Sequence, residues 1–260
     1  MITAGCDVGS LTTKAVILNN TRLLGHAIVR SSINPEKSAY EVMEQALKAA
    51  QLSFDDVGFC VGTGYGRERI GFVKKTISEI SCHAKGAHFL QPSIRTIIDI
   101  GGQDCKAIRL DAKGEIVKFI TNDKCASGTG RFLEVMAKLL GLELEELGSI
   151  SNRATHPINL ASTCTVWAQA EVIMRLNEDM SKADLAAGIN EAMAARVAIL
   201  ARSVAIEKDV CMTGGVAKNT GVLEAMEKQL GVPMRRLRVD PQMMGALGAA
   251  VFARENMGGT

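Results

Sequence analysis

The clearest pattern along the chain is a repeated arrangement of apolar and polar residues. Residues 7–18, DVGSLTTKAVIL, and residues 99–110, DIGGQDCKAIRL, share the form D-(V/I)-G-x-x-x-x-K-A-(V/I)-x-L. In each copy a β-branched run ends in Asp, a glycine-containing turn follows, and a second apolar run begins after Lys. Such a pattern predicts two strands joined by a tight turn. Because it occurs twice, it also predicts two lobes of one design.

Helical patterns follow the two predicted hairpins. Apolar residues recur with the helical period over 40–51, 130–140, 164–176 and 181–207. Ser181 and Asp184 predict a capping box at the start of the last and longest of these helices. Alternating strands and helices are typical of α/β lobes, whose ligands bind at the ends of strands.

The same pattern indicates where the lobes begin and end. We place the first lobe, with the first hairpin, at 1–95 and the second at 96–240. The small residues that follow Gly245, in GALGAAVFA, predict a closing helix. We expect this segment, 241–260, to pack back onto the first lobe near the lobe junction.

Composition and charge exclude several classes of partner. The 260 residues are 47% hydrophobic and 22% charged with a formal charge of +2, a balance that does not favour a nucleic-acid surface. No apolar run approaches the roughly 20 residues of a membrane span. The start, MITAGCDVGS, has no basic region before an apolar core. We therefore expect a cytoplasmic protein with neither a nucleic acid nor a membrane as partner.

The seven cysteines are an odd number without close pairs, so we expect no disulfide framework. Three of them lie in apolar strand-like runs, where a free cysteine acts as a small buried hydrophobe: Cys6, Cys60 and Cys211. Cys105 lies inside the second turn, either as a packed side chain or as a redox-sensitive thiol. Cys82 and His83 are neighbours in the chain, and adjacent helical residues do not face one another, so we expect no separate metal site there.

The two Asp-containing turns suit phosphate chemistry. Small residues let backbone N–H groups approach anionic oxygens, and an Asp at a strand end can hold Mg²⁺ through water. Two such turns in facing lobes would hold the β- and γ-phosphates of a nucleotide. A third glycine-rich segment, VCMTGGVAKN at 210–219, predicts a strand-to-helix turn suited to a nucleoside. The alternative is that these glycines form only tight turns.

These segments resemble motifs of the actin/Hsp70/sugar-kinase superfamily, whose two-lobed α/β fold is ribonuclease H-like. Asp7-Val-Gly-Ser, Asp99-Ile-Gly-Gly-Gln-Asp and Met212-Thr-Gly-Gly-Val-Ala resemble its phosphate-1, phosphate-2 and adenosine motifs. Cys125-Ala-Ser-Gly-Thr-Gly and Gly245-Ala-Leu-Gly are similar to its connecting helices.

The resemblance implies an ATPase site with named roles. Asp7 and Asp99 would order Mg²⁺, and Gln103 would orient the attacking water. Lys14 would reach a phosphate, or would be a solvated strand lysine. The implied nucleotide contacts come from small and polar residues of the turns: Gly9, Ser10, Thr12, Lys14, Gly101, Gly102, Gly128, Gly130, Gly214, Gly215 and Val216.

Two further cysteines suggest a metal centre. Cys125 opens CASGTGRFLEVMAKLL and Cys164 opens CTVWAQAEVIMRL, so each thiolate is predicted at the N-terminal end of a helix. The free N–H groups and dipole there favour an anionic ligand and lower the pKa of a thiol. A 4Fe-4S cluster needs four cysteines, and a two-fold dimer of this chain would supply two pairs. The alternative is two buried thiols.

The amino-acid sequences of several segments resemble those of one family of ATPases in particular. Thr63-Gly-Tyr-Gly-Arg, Ile77-Ser-Glu-Ile-Ser-Cys-His-Ala, Ile98-Asp-Ile-Gly-Gly-Gln-Asp, Asn122-Asp-Lys-Cys and Ser162-Thr-Cys-Thr-Val resemble activators (component A) of 2-hydroxyacyl-CoA dehydratases. These activators belong to the BadF/BadG-type ATPase family. That family includes benzoyl-CoA reductase ATP-binding subunits and reductases of double-cubane cluster proteins. The likeness covers nearly the whole chain.

The family resemblance implies an ATP-driven electron transfer. Cys125 and Cys164 would bind one 4Fe-4S cluster per homodimer, a ferredoxin or flavodoxin would reduce it, and the electron would pass to an iron–sulfur client such as a dehydratase. Trp167 and Gln169 depart from the expected pattern, which leaves the client open between a dehydratase, benzoyl-CoA reductase and a double-cubane protein. A small-molecule kinase and an actin-like assembly protein are rivals. The first would need a substrate domain for which little chain remains, and neither has a need for the two cysteines.

Overall fold

The structure is a computed structural model that describes residues 1–122, 125–161 and 164–257. Asp123, Lys124, Ser162 and Thr163 of the motifs quoted above lie outside these residues, as do the last three residues of the closing segment. The strands are β1 Ile2–Val8, β2 Thr12–Asn19, β3 Arg22–Arg30, β4 Phe59–Thr63, β5 Lys75–Thr76, β6 Thr96–Ile100, β7 Cys105–Leu110, β8 Ile116–Asn122, β9 Val210–Thr213 and β10 Met234–Arg235.

Longer helices follow the strands, and short 3₁₀ turns join some of them. The helices are α1 Pro35–Ala50, α2 Glu79–Leu90, α3 Gly130–Leu140, α4 Glu146–Ser151, α5 Thr165–Asn177, α6 Lys182–Arg202, α7 Thr220–Leu230 and α8 Met244–Met257. In the described part of the chain, no helix combines the length and apolar character needed to cross a membrane.

The chain forms two compact units. Unit 1 contains Met1–Ile94, Leu110–Ile116 and the segment from Leu237 onward, whereas unit 2 contains Arg95–Arg109 and Val117–Arg236. Each unit holds one five-stranded sheet, in the order β3-β2-β1-β4-β5 or β10-β9-β6-β7-β8. The lobe boundaries expected from the sequence stay a prediction.

The two sheets repeat one arrangement around their first hairpin. In unit 1, β1 pairs with β2 antiparallel and with β4 parallel. In unit 2, β6 pairs with β7 antiparallel and with β9 parallel. The predicted hairpins are therefore confirmed, and the central strand of each sheet carries the Asp of the repeated motif near its C-terminal end.

The core of unit 1 lies on both faces of its sheet. Helix α1 packs on β2 and β3, and the small residues of α8 pack on β1, β4 and α2. A Cβ at Gly5 would collide with the carbonyl of Ala246 and the amide of Ala250, so a side chain there would separate helix from strand. In unit 2 the core is formed by α3, α6 and α7 with the buried strand residues. The central strands are thus buried beneath helices.

Two helix boundaries differ from the predictions. Helix α1 begins at Pro35 rather than near residue 40, because the Asn34 side chain accepts a hydrogen bond from the Lys37 amide and caps the helix earlier. Helix α6 ends at Arg202 rather than at residue 207, and Ala205 has a φ of 57°, outside the helical region. The predicted start at Ser181 is confirmed, since its hydroxyl accepts from the Asp184 amide at 3.1 Å.

Candidate nucleotide site and candidate cluster ligands

The first phosphate turn, residues 8–12, joins β1 to β2. It is closed by a hydrogen bond of 3.1 Å from the Gly9 amide to the Thr12 carbonyl. Asp7 is buried at the end of β1 and pairs across the hairpin with Lys14, whose Nζ lies 3.1 Å from the carboxylate. The Lys14 side chain is only 13% exposed, so the alternative of a solvated strand lysine is wrong. Ser10 stands exposed at the tip.

Further residues of unit 1 surround Asp7. Thr63, the last residue of β4, is aligned with Asp7 in the parallel ladder, and Gly64 follows with a φ of 88° and lies against the carboxylate. On the helical side, a Cβ at Gly245 would lie 2.7 Å from Asp7 Oδ2 and 3.2 Å from His83 Nε2. Helix α8 can approach this carboxylate closely because it presents a glycine there.

The second phosphate turn, residues 100–104, joins β6 to β7 in the same way. The Gly101 amide donates to the Asp104 carbonyl at 3.0 Å. Asp99 is buried and accepts a hydrogen bond of 2.8 Å from the Thr213 hydroxyl. Lys106 lies opposite Asp99 in the hairpin, with its Nζ 3.5 Å from Asp99 and 2.7 Å from Asp104. Gln103 is exposed at the tip of this turn.

The predicted adenosine segment begins at the end of β9. Gly214 has a φ of 83°, a conformation that favours glycine, and it lies against the carbonyl of Ile100. Gly215 then starts a short 3₁₀ helix, Gly215–Lys218. Val216 approaches the start of α3, because its Cγ2 lies 3.5 Å from the Cβ position of Gly130.

Unit 2 therefore brings several predicted contacts together. The start of α3 completes the group. Its Gly130 and Arg131 amides donate to the carbonyls of Gly101 and Gly102 at 2.8 and 2.9 Å. The N-cap residue of α3, Thr129, makes no side-chain capping bond. The carbonyls of the second phosphate turn thus satisfy amides that the helix start leaves open. Gly128 is buried just before this point, with its Cβ position 3.6 Å from the Cys105 sulfur.

The two candidate cluster ligands differ from the other cysteines in exposure. Cys164 is exposed and Cys125 is partly exposed, whereas the five remaining cysteines are buried. The alternative of two buried thiols is therefore wrong. Burial raises the pKa of Cys60, Cys82 and Cys105 to about 12, which favours the packed interpretation of Cys105 over a redox-sensitive thiol.

The helix starts at the two candidate ligands are not equivalent. Cys164 is the N-cap of α5, as predicted. Cys125 is instead the N-cap of a short 3₁₀ helix, Ala126–Gly128, and α3 begins at Gly130, so this thiol stands at a helical start, as predicted, but not at the start of α3 itself. The Ser127 hydroxyl, 3.1 Å from the sulfur, and the Ser127 amide lower the pKa of Cys125, with a further contribution from the Arg196 guanidinium.

The donor chemistry of this pair fits an iron–sulfur cluster. Both cysteines stand at the start of a helical turn, where amides are free to stabilise an anionic thiolate. In the described residues, no three His, Cys, Asp or Glu side chains lie together as a metal site. The pair would supply two of the four thiolates that a cubane requires.

Sequence reasoning missed the place of four residues beside Asp7 and Asp99: Lys106, Thr63, Thr213 and His83. The repeat itself contained the signal for Lys106, since it corresponds to Lys14. Thr63 and Thr213 each precede a glycine and follow a short apolar run, a similarity that could have indicated both threonines. Sequence reasoning considered only the glycines of these segments. For His83 sequence reasoning considered only a metal pair with Cys82, because its position near Asp7 depends on the packing of α2 and α8.

A family model described as the BadF/BadG/BcrA/BcrD ATPase family matches residues 4–253. The chain belongs to this family. The family prediction from the sequence is thus confirmed, and the chain is an ATPase that binds ATP or ADP. It is 47% identical to the activator of lactoyl-CoA dehydratase of Anaerotignum propionicum, over 98% of both chains. It is 34% identical to a benzoyl-CoA reductase subunit of Thauera aromatica, over 96% of this chain and 92% of the relative.

Solved structures agree with the predicted fold. Component A of the (R)-2-hydroxyglutaryl-CoA dehydratase of Acidaminococcus fermentans superimposes with a TM-score of 0.96, at 41% identity and 99% coverage of both chains. The activator of the 2-hydroxyisocaproyl-CoA dehydratase of Clostridium difficile, with bound ADPNP, gives 0.95 at 41% identity, covering 100% of this chain and 98% of that one. A ROK hexokinase of Thermus thermophilus gives 0.53 at 16% identity over the full length of both, a likeness of fold alone. The actin/Hsp70/sugar-kinase fold is confirmed.

Proposed function

We propose that this ATPase is an activator that passes a low-potential electron to an iron–sulfur client enzyme, a 2-hydroxyacyl-CoA dehydratase in the first instance. The observation that carries the proposal is the pair Cys125 and Cys164. Among seven cysteines these two are the least buried, and each stands at a helical start. The names of the similar proteins, which are dehydratase activators, support the same client.

In the nucleotide site, each turn contributes a carboxylate. Asp7 and Asp99 order Mg²⁺ through water, and Gln103 orients the attacking water without acting as a strong base. Amides of the glycine turns hold the phosphates, while the segment that begins at Gly214 holds the adenosine. Lys14, held beside Asp7, is the ammonium that approaches phosphate from the first turn.

In the cluster site, Cys125 and Cys164 from both protomers bind one 4Fe-4S cluster per homodimer. When bound, such a cluster supplies one-electron transfer. The chain's contribution is to hold two thiolates at helix starts, where free amides stabilise their charge. Ser127 adds a hydrogen bond to the sulfur of Cys125 that helps to hold it in its charged form.

ATP is required for an energetic reason. For one electron, each 59 mV uphill costs a factor of ten in the equilibrium constant, so a strongly reducing electron must be coupled to an external source of free energy. A ferredoxin or flavodoxin delivers the electron to the activator. ATP binding and hydrolysis then change the conformation of the activator so that the electron passes to the client.

A second client class rests on a specific likeness. The chain is similar to the Thauera aromatica benzoyl-CoA reductase protein along nearly its whole length, so a benzoyl-CoA reductase is the alternative client. A reductase of double-cubane proteins would use the same two sites. The sugar-kinase rival rests on fold alone.

The test is to purify the protein without oxygen and to measure iron, oligomeric state and electron transfer. We expect a brown homodimer with about four Fe per dimer that reduces a dehydratase only when ATP is present. Cys125→Ser and Cys164→Ser should lose the iron, and Cys105→Ser is the matched control that should keep it. A colourless parent protein, or about four Fe per monomer, would exclude the shared cluster.

A further inference from the structure

Lys106 is a buried ammonium that the proposed roles above leave unused. Its side chain is 4% exposed, and its Nζ lies between the carboxylates of Asp104, at 2.7 Å, and Asp99, at 3.5 Å. Burying an ammonium is unfavourable unless it is paired and hydrogen-bonded. Here one cation holds two carboxylates in fixed positions, and only one of these, Asp99, has a role of its own.

The second carboxylate is the side chain of Asp104, a residue whose backbone closes the phosphate turn. Asp104 accepts the closing hydrogen bond from the Gly101 amide with its carbonyl. Its side chain also folds over the turn, since a Cβ at Gly101 would lie 2.7 Å from Asp104 Oδ1. Because Lys106 holds this carboxylate at 2.7 Å, it also fixes the path of the turn.

The shape of the turn is transmitted to helix α3. The carbonyls of Gly101 and Gly102 accept from the amides of Gly130 and Arg131. A change in the direction of these two carbonyls would uncap the helix, because Thr129 offers no side-chain cap. The 3₁₀ helix that Cys125 caps directly precedes this point.

We propose that Lys106 is a positioning residue that holds the second phosphate turn in the shape that caps α3, so that a nucleotide bound at this turn acts on the segment of Cys125. The part that concerns Cys125 rests on the proposed function, whereas the part that concerns the turn and α3 rests on ATP hydrolysis alone. Lys106 itself transfers no proton and contacts no reacting atom in this proposal.

The test compares Lys106→Met with Lys106→Arg, which retains the charge, and with Lys228→Met. Lys228 is an exposed lysine of α7 that pairs with Glu191 and serves as the matched control. A misplaced turn should lower kcat for ATP by roughly 10²-fold with a smaller change in KM. Lys106→Arg should recover part of this loss, and Lys228→Met should match the parent.

Hydrogen exchange gives a second readout that needs no cluster. In the parent, an ATP analogue and ADP should protect the amides of Gly130 and Arg131 to different extents. In Lys106→Met both amides should exchange faster, and the difference between nucleotides should vanish. If Lys106→Met does not fold, Asp104→Asn, which keeps the ammonium and weakens its shorter contact, takes its place.

The outcomes separate the two proposals. Two results would overturn the role of Lys106. One is a folded Lys106→Met protein with the parental kcat and the parental hydrogen exchange at α3. The other is a loss of kcat in which the difference in exchange between nucleotides stays intact. A different outcome is that the parent protein contains no iron while Lys106→Met loses both kcat and the difference between nucleotides. That outcome would overturn the proposed cluster and support Lys106 as a positioning residue.

Discussion

The first phosphate turn holds one ammonium, Lys14, against one carboxylate, whereas the second holds one ammonium, Lys106, between two. The position that Asp104 occupies in the second turn is occupied by Thr12 in the first. Both turns close with the same glycine-amide hydrogen bond. A shared backbone design thus carries two different charge arrangements.

The second difference concerns what each turn supports. The carbonyls of the second turn cap a helix that follows the segment of Cys125, whereas Asp7 in the first turn is approached by Gly245 of α8. A turn that caps a helix can report a bound phosphate to that helix. The comparison therefore suggests that the first turn binds and the second turn both binds and transmits.

The largest predicted effect concerns a thiol that only the second hairpin contains. Cys105 corresponds to Thr13 of the first turn, and its pKa of about 12 keeps it protonated near neutral pH. Ser127 lowers the pKa of Cys125, so its thiolate persists to lower pH. In native protein without iron, iodoacetamide at pH 8 should modify Cys125 at least about 10³-fold faster than Cys105.

Mass spectrometry of peptides checks this rate, with urea-unfolded protein as the control in which the two thiols should react alike. Comparable rates in the native protein would mean that the second turn is not packed as described.

The next effect concerns the carboxylates that both turns share. Asp7→Asn and Asp99→Asn should each lower Mg²⁺-dependent ATP hydrolysis by roughly 10²–10³-fold, and Gln103→Ala should do so less strongly, with the fold intact. Steady-state hydrolysis and circular dichroism measure the two properties. Parental rates in all three variants would invalidate the site assignment.

A smaller effect is expected when the second turn is made like the first. Asp104→Thr should slow hydrolysis about tenfold, the equivalent of one charged hydrogen bond. It should also remove the nucleotide dependence of iron chelation, which Thr12→Val in the first turn should retain. If the two variants behaved alike, the proposed division between binding and transmitting turns would fail.

The smallest effect concerns the two threonines. The Thr213 hydroxyl donates to the buried carboxylate of Asp99, so Thr213→Val should lower the free energy of unfolding by about 1–3 kcal/mol. Thr63 is buried beside the Cys82 thiol, a weak acceptor, and lacks a well-formed hydrogen bond in the described residues. Thr63→Val should therefore lower the free energy of unfolding by less than Thr213→Val does. Urea denaturation compares the pair, and an equal loss would contradict this difference.

The sequence predicted the parts of the fold that depend on local pattern. The repeat around Asp7 and Asp99 predicted both hairpins, and the family motifs predicted the fold. The sequence singled out Cys125 and Cys164 among the seven cysteines, and in the structure these two are more exposed than the other five. Their role as ligands stays a prediction.

Contacts between distant segments could not be predicted. Nothing in a single sequence indicates that Gly101 caps α3 or that Lys106 has two partners, since both depend on tertiary packing. The start of α3 at Gly130 agrees with the helical period predicted over 130–140, whereas the 3₁₀ helix between Cys125 and α3 was not predicted, because local propensity does not separate a 3₁₀ turn from the start of an α-helix.

The most direct test measures whether a nucleotide at the second turn changes the environment of the proposed cluster. The reduced, iron-containing protein is mixed with ADP or with a non-hydrolysable ATP analogue, and the rate of iron removal by a chelator is measured beside an Asp99→Asn control. A ligand shifts a conformational equilibrium only by its differential affinity for the two states. We expect different chelation rates with the two nucleotides in the parent and equal rates in Asp99→Asn, whereas equal rates in the parent would contradict the coupling on which the activator proposal depends.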